Sequence, residues 1–151
     1  MEKKEFQNFC KKEFEKQGFK KIKNMYYLVG LDLLCGIRLQ KSNFGAVYYV
    51  NYYYFIGDYH NITTYPTRYE NDLMGRIGVT SKTTSYGKFY ETAQIEYEYY
   101  TEDELRPFFE KEFEEVILPP VYQGKKYILE NLNKLYSLQL HPEEVMRKLQ
   151  S

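Results

Sequence analysis

The chain has 151 residues, of which 43% are hydrophobic and 19% aromatic, and its 21 basic residues balance 21 acidic ones. This composition excludes a disordered chain, and we expect one folded domain over residues 1–151. The chain lacks the net positive charge that is typical of nucleic-acid-binding proteins, so we expect no nucleic-acid partner. The charged first residues and the lack of any apolar run near about 20 residues predict neither a signal peptide nor a membrane span, and we expect a cytoplasmic protein.

The chain begins with a predicted amphipathic helix over residues 2–17. Its apolar side chains recur at spacings of three and four, at Phe6, Phe9, Cys10 and Phe14. Gly18 supplies a helix stop, and a strand is expected over residues 25–29. Cys10 and Cys35 lie among apolar neighbours without ligand spacing, so we expect two buried, reduced thiols and no metal site.

The centre of the chain predicts a β-hairpin. Residues 33–41 alternate between apolar and polar side chains, and residues 47–56, VYYVNYYYFI, include five tyrosines. Between them, SNFG at 42–45 has the composition of a four-residue turn. Such a turn would pair Lys41 with Ala46 and would fix the register of the two strands.

This pairing predicts two different faces for the tyrosine-rich strand. Even-numbered residues of 47–56 share the side of Leu39 and would line a core, whereas odd-numbered residues share the side of Arg38, which would lie opposite Tyr49. This second side also includes Gln40, Asn51 and Tyr53, together with Leu34, Gly36 and Phe55. Two interpretations remain open: the excursion at 57–92 folds over this side as a second, minor core, or the side is an open binding face.

Beyond the hairpin the sequence predicts a loop, two short strands and three helices. The loop covers 57–72, and the strands cover 73–79 and 93–100. TEDE at 101–104 is a capping box for a helix to about residue 117, which LPP at 118–120 ends. The remaining helices are expected over 123–138 and 141–150. Because elements of one kind run together, we predict an α+β fold with an antiparallel sheet of about five strands. The N-terminal helix and the C-terminal helices would pack mainly on one face of that sheet.

The sequence carries no recognisable catalytic, cofactor or metal motif. It lacks the glycine patterns of phosphate-binding loops and the motifs of serine hydrolases and zinc proteases. His60 lies in a loop beside Asp58, and His141 precedes a helix-starting proline, so we assign neither histidine to catalysis. We therefore predict a protein that is not an enzyme and that has no cofactor.

Charge is unevenly distributed along the chain. Residues 1–23 hold eight lysines and four glutamates, whereas residues 91–115 hold ten acidic and two basic residues. Both segments suit solvated helical faces, and the second also suits an acidic surface for a basic partner.

Four segments carry a family resemblance. They are GFKK at 18–21, IRLQKSNFGAVYYVNYYYFIG at 37–57, LMGRIG at 73–78 and LPP at 118–120. Together they resemble the bacterial family called domain of unknown function 4304, over about residues 5–137. The resemblance implies a compact α+β protein without an established activity, and some relatives resemble partners in bacterial toxin–immunity neighbourhoods. The positions that match the family pattern are Gln40, Ser42, Asn51 and Arg76.

These observations predict a non-enzymatic protein-interaction module, and one form of it is an immunity-type inhibitor of a basic bacterial toxin. The alternatives are a small-ligand-binding protein that uses the polar-aromatic sheet face and an enzyme of unfamiliar type. The candidate binding residues are Arg38, Gln40, Ser42, Tyr49, Asn51, Tyr53 and Arg76. No catalytic residue is assigned.

Overall fold

The computed structural model describes residues 1–132, 137–138 and 142–151, and the fold is α+β. The elements in chain order are α1 (Lys3–Lys16), β1 (Lys20–Ile22), β2 (Met25–Val29), β3 (Leu33–Lys41), β4 (Tyr48–Ile56), β5 (Leu73–Arg76), β6 (Val79–Thr80), β7 (Glu91–Thr92), α2 (Glu102–Glu112), a π-helical turn (Phe113–Ile117), α3 (Leu118–Gln123), α4 (Lys125–Glu130), β8 (Ser137–Leu138) and α5 (Pro142–Gln150). Short 3₁₀ turns lie at Arg68–Glu70 and Tyr97–Tyr99.

The main sheet is antiparallel and has the strand order β1-β2-β3-β4-β5-β8. Its first five strands follow one another along the chain, and β8 adds a two-residue edge. The strands predicted over 25–29, 33–41, 47–56 and 73–79 correspond to four of these five. A separate small hairpin consists of β6 and β7. The predicted fold class is therefore confirmed.

The central hairpin is longer at its turn than the sequence suggests. Lys41 pairs with Tyr48, and not with Ala46, because the Ser42 N–H donates to the Val47 carbonyl at 2.9 Å and closes a six-residue connection over 42–47. The predicted register is therefore wrong by two residues. Side chains alternate with a period of two, so this shift keeps every side chain on its predicted face.

Changed pairings follow from the corrected register. Arg38 lies opposite Asn51, and not opposite Tyr49, which pairs with Gln40 instead. Leu39 lies opposite Val50, where the four-residue turn would have placed Tyr48.

The helices and the sheet enclose the main hydrophobic core. The even-numbered residues of β4 point into it, as predicted, and they are Tyr48, Val50, Tyr52 and Tyr54. Phe6, Phe9 and Phe14 of α1 and Leu105 and Phe109 of α2 meet them from the helical side. The aromatic rings pack edge-on or offset: the Phe9 and Phe109 centroids are 5.0 Å apart, which is the usual geometry of buried aromatic pairs.

A second, smaller core lies on the opposite side of the sheet. Its buried residues are Met25, Tyr27, Leu34, Tyr53 and Phe55. Side chains from the 57–72 loop cover it, and they are Tyr59, Ile62 and Tyr65. The sequence left open whether the excursion at 57–92 covers this side of the sheet or leaves it as an open face. For one half of this side, the interpretation that it is covered is therefore correct. Tyr53 is 4% exposed and does not belong to an open face.

Two glycines of the sheet lie where neighbouring side chains cross the strands. Gly75 lies opposite Tyr52, and a Cβ atom there would overlap the Tyr52 ring. Gly36 lies opposite Tyr53, and a Cβ atom there would lie 2.8 Å from Met25 Cε. The strand at Gly75 therefore needs a residue without a side chain where an aromatic ring crosses it, and at Gly36 the close neighbour is the methionine.

The segment predicted as a strand over 93–100 forms something else. Ile95 makes one isolated bridge with Tyr48, and the chain then enters the 3₁₀ turn at Tyr97–Tyr99. Tyr97 and Tyr100 are buried, and their spacing of three matches the 3₁₀ period, whereas a strand would have buried alternate residues. The packing of Tyr97 and Tyr100 thus outweighs the preference for a strand that the alternating residues of this segment indicate.

The helix predicted after the capping box at 101–104 begins where expected, but the residues predicted to end it do not do so. Thr101 and Glu104 form the expected capping box of α2. LPP at 118–120 begins α3 and does not end a helix, because prolines are tolerated in a first turn, where no N–H partner is needed. Within the predicted helix over 123–138, Lys125–Glu130 form α4, Leu132 is helical and Ser137–Leu138 form β8. Leu135, Tyr136 and His141 lie outside the described residues.

The last helix, α5, starts at Pro142 as predicted, and Val145 and Leu149 anchor it in the main core. Lys148 of this helix donates to Asp72 Oδ1 at 2.9 Å, and the second oxygen of Asp72 accepts from the Ile56 N–H at 2.8 Å. Asp72 is buried, so it ties the helix to the edge of the second core. Within the described ranges, no helix combines the length and the apolar character needed to cross a bilayer.

Candidate functional site

Five of the predicted site residues meet on one side of the sheet, near the central hairpin turn. We call them the polar sheet face: Arg38, Gln40, Tyr49, Asn51 and Arg76. Arg38, Asn51 and Arg76 lie side by side on three neighbouring strands, and Gln40 pairs with Tyr49 beside them. The strand order β3-β4-β5 therefore brings together residues that are far apart in the sequence.

Asn51 is the centre of this face and is only 1% exposed. Its Nδ2 donates to Gln40 Oε1 at 2.8 Å, and its Oδ1 accepts from Arg76 Nε at 2.9 Å. A buried amide without partners would be costly, so these two bonds fix the orientations of all three side chains.

Arg76 is held in one orientation while its far end stays accessible. Its guanidinium carbon lies 4.3 Å from the centroid of the Tyr49 ring, which is a cation–π geometry, and Asn51 binds its Nε. Arg76 is exposed, and it forms no ion pair with any described carboxylate. The two Nη groups thus form a fixed fork of the kind that binds a carboxylate or a phosphate through two parallel hydrogen bonds.

The remaining two predicted residues lie outside this face. Ser42 lies in the hairpin turn, where its Oγ accepts from the Phe44 N–H at 3.1 Å, so its contact is structural. Tyr53 packs in the second core because the 57–72 loop covers that half of the sheet. The turn also leaves Phe44 96% exposed at the end of the hairpin.

A concave groove of about 400 Å³ adjoins the polar sheet face at Arg38. We call it the tyrosine groove, and it runs between the β1–β2 turn and the segment at 63–69. Its lining includes Lys23, Arg38, Tyr65, Arg68 and Tyr69, together with Met25, Tyr27, Pro66 and three threonines. Among the residues that the structure describes, no aspartate or glutamate lines it.

Hydrogen bonds and ring contacts fix the walls of the tyrosine groove. The Tyr27 hydroxyl donates to the Pro66 carbonyl at 2.6 Å, and its ring centroid lies 4.7 Å from that of Tyr65. Arg68 lies over the Tyr69 ring at 4.5 Å and donates to its hydroxyl at 2.5 Å. Burial raises the pKa of the Tyr27 hydroxyl, so this group stays protonated and keeps donating.

Sequence patterns did not indicate the tyrosine groove, because its cations come from segments that are far apart. Lys23 lies in the β1–β2 turn, and Arg68 lies in the 3₁₀ turn within the 57–72 loop. One sequence pattern could have indicated the 3₁₀ turn that carries Arg68. Thr67 and Glu70 have the spacing of a capping box, and the structure contains that box.

The acidic segment at 91–115 is partly neutralised. Glu104 pairs with Lys82, Glu110 lies 3.3 Å from Lys16, and Asp103 lies 2.6 Å from Arg106. Exposed glutamates of this segment that form no ion pair in the described part of the chain are Glu91, Glu98, Glu114 and Glu115.

Glu112 differs from the other acidic residues of this segment. It is half-buried and accepts a hydrogen bond from the Gly78 N–H. Desolvation raises its pKa to about 6, and the nearby Glu91 and Glu115 add to the effect, while the Gly78 bond and Lys111 oppose it. This carboxylate is therefore part of the packing between α2 and the chain after β5.

The described residues bring no reactive groups together. Burial raises the pKa of the Cys10 and Cys35 thiols, which favours the unreactive protonated form. His60 contacts Asp58 at 2.6 Å within one exposed loop, and its N–H groups hold the pKa of that carboxyl below its ordinary value. No cluster of three potential metal ligands occurs among the residues that the structure covers.

Comparison with known proteins identifies the family of the chain. No curated protein and no solved structure matches it. One family model matches residues 10–121, a span that contains α1 from Cys10 onward, the first five strands and the whole polar sheet face. The resemblance inferred from the sequence is thus confirmed: the chain belongs to the family described as Domain of unknown function (DUF4304).

Proposed function

We propose that this protein is a non-enzymatic interaction module whose polar sheet face binds an acidic side chain of a protein partner. The observation that carries the proposal is the fixed Arg76: Asn51 binds its Nε, Tyr49 supports its plane, and no described carboxylate neutralises it. An arginine oriented in this way loses little side-chain entropy on binding, so more of each new hydrogen bond contributes to affinity.

The surroundings of Arg76 favour a protein partner over an isolated small anion. The hairpin that carries Gln40 and Tyr49 also presents an almost fully exposed Phe44 in its turn. Exposed aromatic and arginine side chains are the residues that most often anchor protein interfaces. Tyr49, which is half-buried beneath the guanidinium, extends the same surface.

A selection from a random peptide library tests this proposal. Immobilised wild-type protein should enrich peptides that contain aspartate or glutamate, and the affinity of a selected peptide is then measured by fluorescence polarisation. Arg76→Gln should weaken binding about tenfold, because a hydrogen bond between charged groups contributes roughly 1.5–3 kcal/mol. Arg147→Gln is the matched control, since Arg147 is an exposed arginine on α5 beside Glu144.

Two results would contradict the proposal. The first is a set of selected peptides without acidic enrichment. The second is an affinity that Arg76→Gln leaves unchanged although circular dichroism shows a folded variant.

We keep the immunity-type inhibitor of a basic bacterial toxin as a second candidate. The exposed Glu98, Glu114 and Glu115, which lack ion pairs within the described ranges, support it, because an acidic surface accelerates association with a basic partner. Where a neighbouring gene encodes a basic toxin, replacing Glu114 and Glu115 by lysine should slow association at low salt. Arg76→Gln should leave that association rate unchanged, and this difference separates the two candidates.

A further inference from the structure

We infer that the tyrosine groove binds a phosphorylated ring compound of mononucleotide size. This inference goes beyond the proposed function, since it concerns a second site that shares only Arg38 with the polar sheet face. The volume of about 400 Å³ lies within the range of roughly 300–1,000 Å³ that is common for small-molecule sites.

The charge of the groove points to a strongly anionic ligand. Lys23, Arg38 and Arg68 all line it, and none of them forms an ion pair with a carboxylate in the described part of the chain. Three cations around one concavity without an acidic residue suit the charge of a phosphate better than a single carboxylate.

The aromatic lining points to a flat ring attached to that phosphate. Tyr69 is 79% exposed and carries Arg68 on its ring, so it offers a stacking surface at the rim. Tyr65 lies deeper, where its contact with Tyr27 holds it in place. The hydroxyl groups of Thr63, Thr64 and Thr67 line the same groove and suit the polar substituents of a sugar.

Backbone strain at Lys23 supports a role for this residue beyond forming a turn. Lys23 has a φ of 59°, in the left-handed region that glycine and asparagine adopt most readily. The strand pairing of Ile22 with Met25 leaves Lys23 and Asn24 as a two-residue turn, in which glycine would be less strained. A lysine at this position therefore costs some stability, and its side chain lines the groove.

Binding of adenosine monophosphate to the full chain tests the inference, with inorganic phosphate and adenosine as separate probes. Titration calorimetry should show saturable binding of the monophosphate and much weaker binding of either fragment. Lys23→Gly removes a charge while relieving the turn, so this variant should fold at least as well and bind about fivefold more weakly. Arg68→Gln should have a similar effect, and Tyr69→Ala should weaken binding of the monophosphate without changing that of inorganic phosphate.

Arg76→Gln is the matched control, because Arg76 does not line the groove. It should leave monophosphate binding unchanged while it weakens binding of acidic peptides about tenfold, so failure of one proposal can be distinguished from failure of the other. The inference is overturned by absence of binding at about 10 mM monophosphate, which marks an affinity too weak for a specific site. Equal affinity for inorganic phosphate, full affinity in Lys23→Gly and Arg68→Gln, or tighter binding of a single-stranded oligonucleotide would also overturn it.

Discussion

Asn51→Ala should destabilise the protein, because this residue joins the polar sheet face across three strands. The substitution removes one hydrogen bond between neutral groups, to Gln40, and one to the charged Arg76. The first contributes roughly 1 kcal/mol and the second roughly 1.5–3 kcal/mol. Gln40 is half-buried and Arg76 is exposed, so water replaces part of what each loses. We therefore expect a loss of about 2–3 kcal/mol in the free energy of unfolding, or roughly 5–10 °C in melting temperature.

Urea denaturation followed by circular dichroism measures this loss, and a double-mutant cycle with Arg76→Ala isolates the contact. The coupling energy should be about 1–2 kcal/mol, because the two side chains bond directly. Asn43→Ala is the control, since Asn43 is exposed in the hairpin turn and should change stability by less than about 0.5 kcal/mol. A loss below about 0.5 kcal/mol for Asn51→Ala, or additive effects in the cycle, would refute the reasoning.

Three further substitutions test other parts of the fold. Gly75→Ala should cost about 1–3 kcal/mol in urea denaturation, because the new methyl group would overlap the buried Tyr52 ring. Glu112→Gln should flatten the pH dependence of stability. The pKa of the Glu112 carboxyl is raised to about 6 in the folded protein, so ionisation of this group opposes folding. The wild type therefore loses stability as pH rises from about 4.5 to 6. That loss is about 1 kcal/mol once partial exposure is allowed for, and the variant should be more stable than wild type by this amount at pH 7. Asp72→Asn should cost about 1–3 kcal/mol and speed hydrogen exchange in α5, because it breaks the contact with Lys148.

Each of these substitutions has a matched control. Gly78→Ala has room for its Cβ, whose nearest neighbour would be 3.8 Å away, so it should be nearly neutral. Glu114→Gln changes an exposed glutamate on the same helical segment and should keep the wild-type pH dependence. Glu144→Gln removes an exposed carboxylate from α5 and should leave hydrogen exchange there unchanged. The reasoning fails for any pair in which the control and the test variant behave alike.

Sequence patterns predicted the faces of the central hairpin but not its register. Alternation has a period of two, and a shift of two residues leaves every side chain on the same face. The shift is set by the bond from the Ser42 N–H to the Val47 carbonyl, which depends on the geometry of the turn. Local patterns were similarly ambiguous at 93–100, where a 3₁₀ turn replaced a strand, and at 118–120, where prolines begin a helix as readily as they end one.

The candidate site was predictable to the extent that it depends on alternation. Arg38, Gln40, Tyr49 and Asn51 share one face because they lie on two paired strands, and the family resemblance added Arg76. Tyr53 follows the same alternation, but the 57–72 loop covers it, and no local pattern indicates where a loop will fold. Lys23 and Arg68 of the tyrosine groove were missed for the same reason, since only the folded loop brings these two cations together.

The π-helical turn at Phe113–Ile117 sets the rotational phase of the helix that follows it. Such a turn contains one residue more than α-helical geometry would use, and each residue of an α-helix advances the chain by 100°. Removing one residue here would therefore turn α3 by about a quarter revolution and carry the Val121 carbonyl away from the Leu31 N–H, which now lies 2.9 Å from it. The hydrogen bond that the Tyr54 hydroxyl donates to the Ile117 carbonyl at 2.8 Å would be disturbed in the same step. Chain length in this segment is thus as constrained as residue identity, and we expect single-residue deletions there to be less tolerated than conservative substitutions.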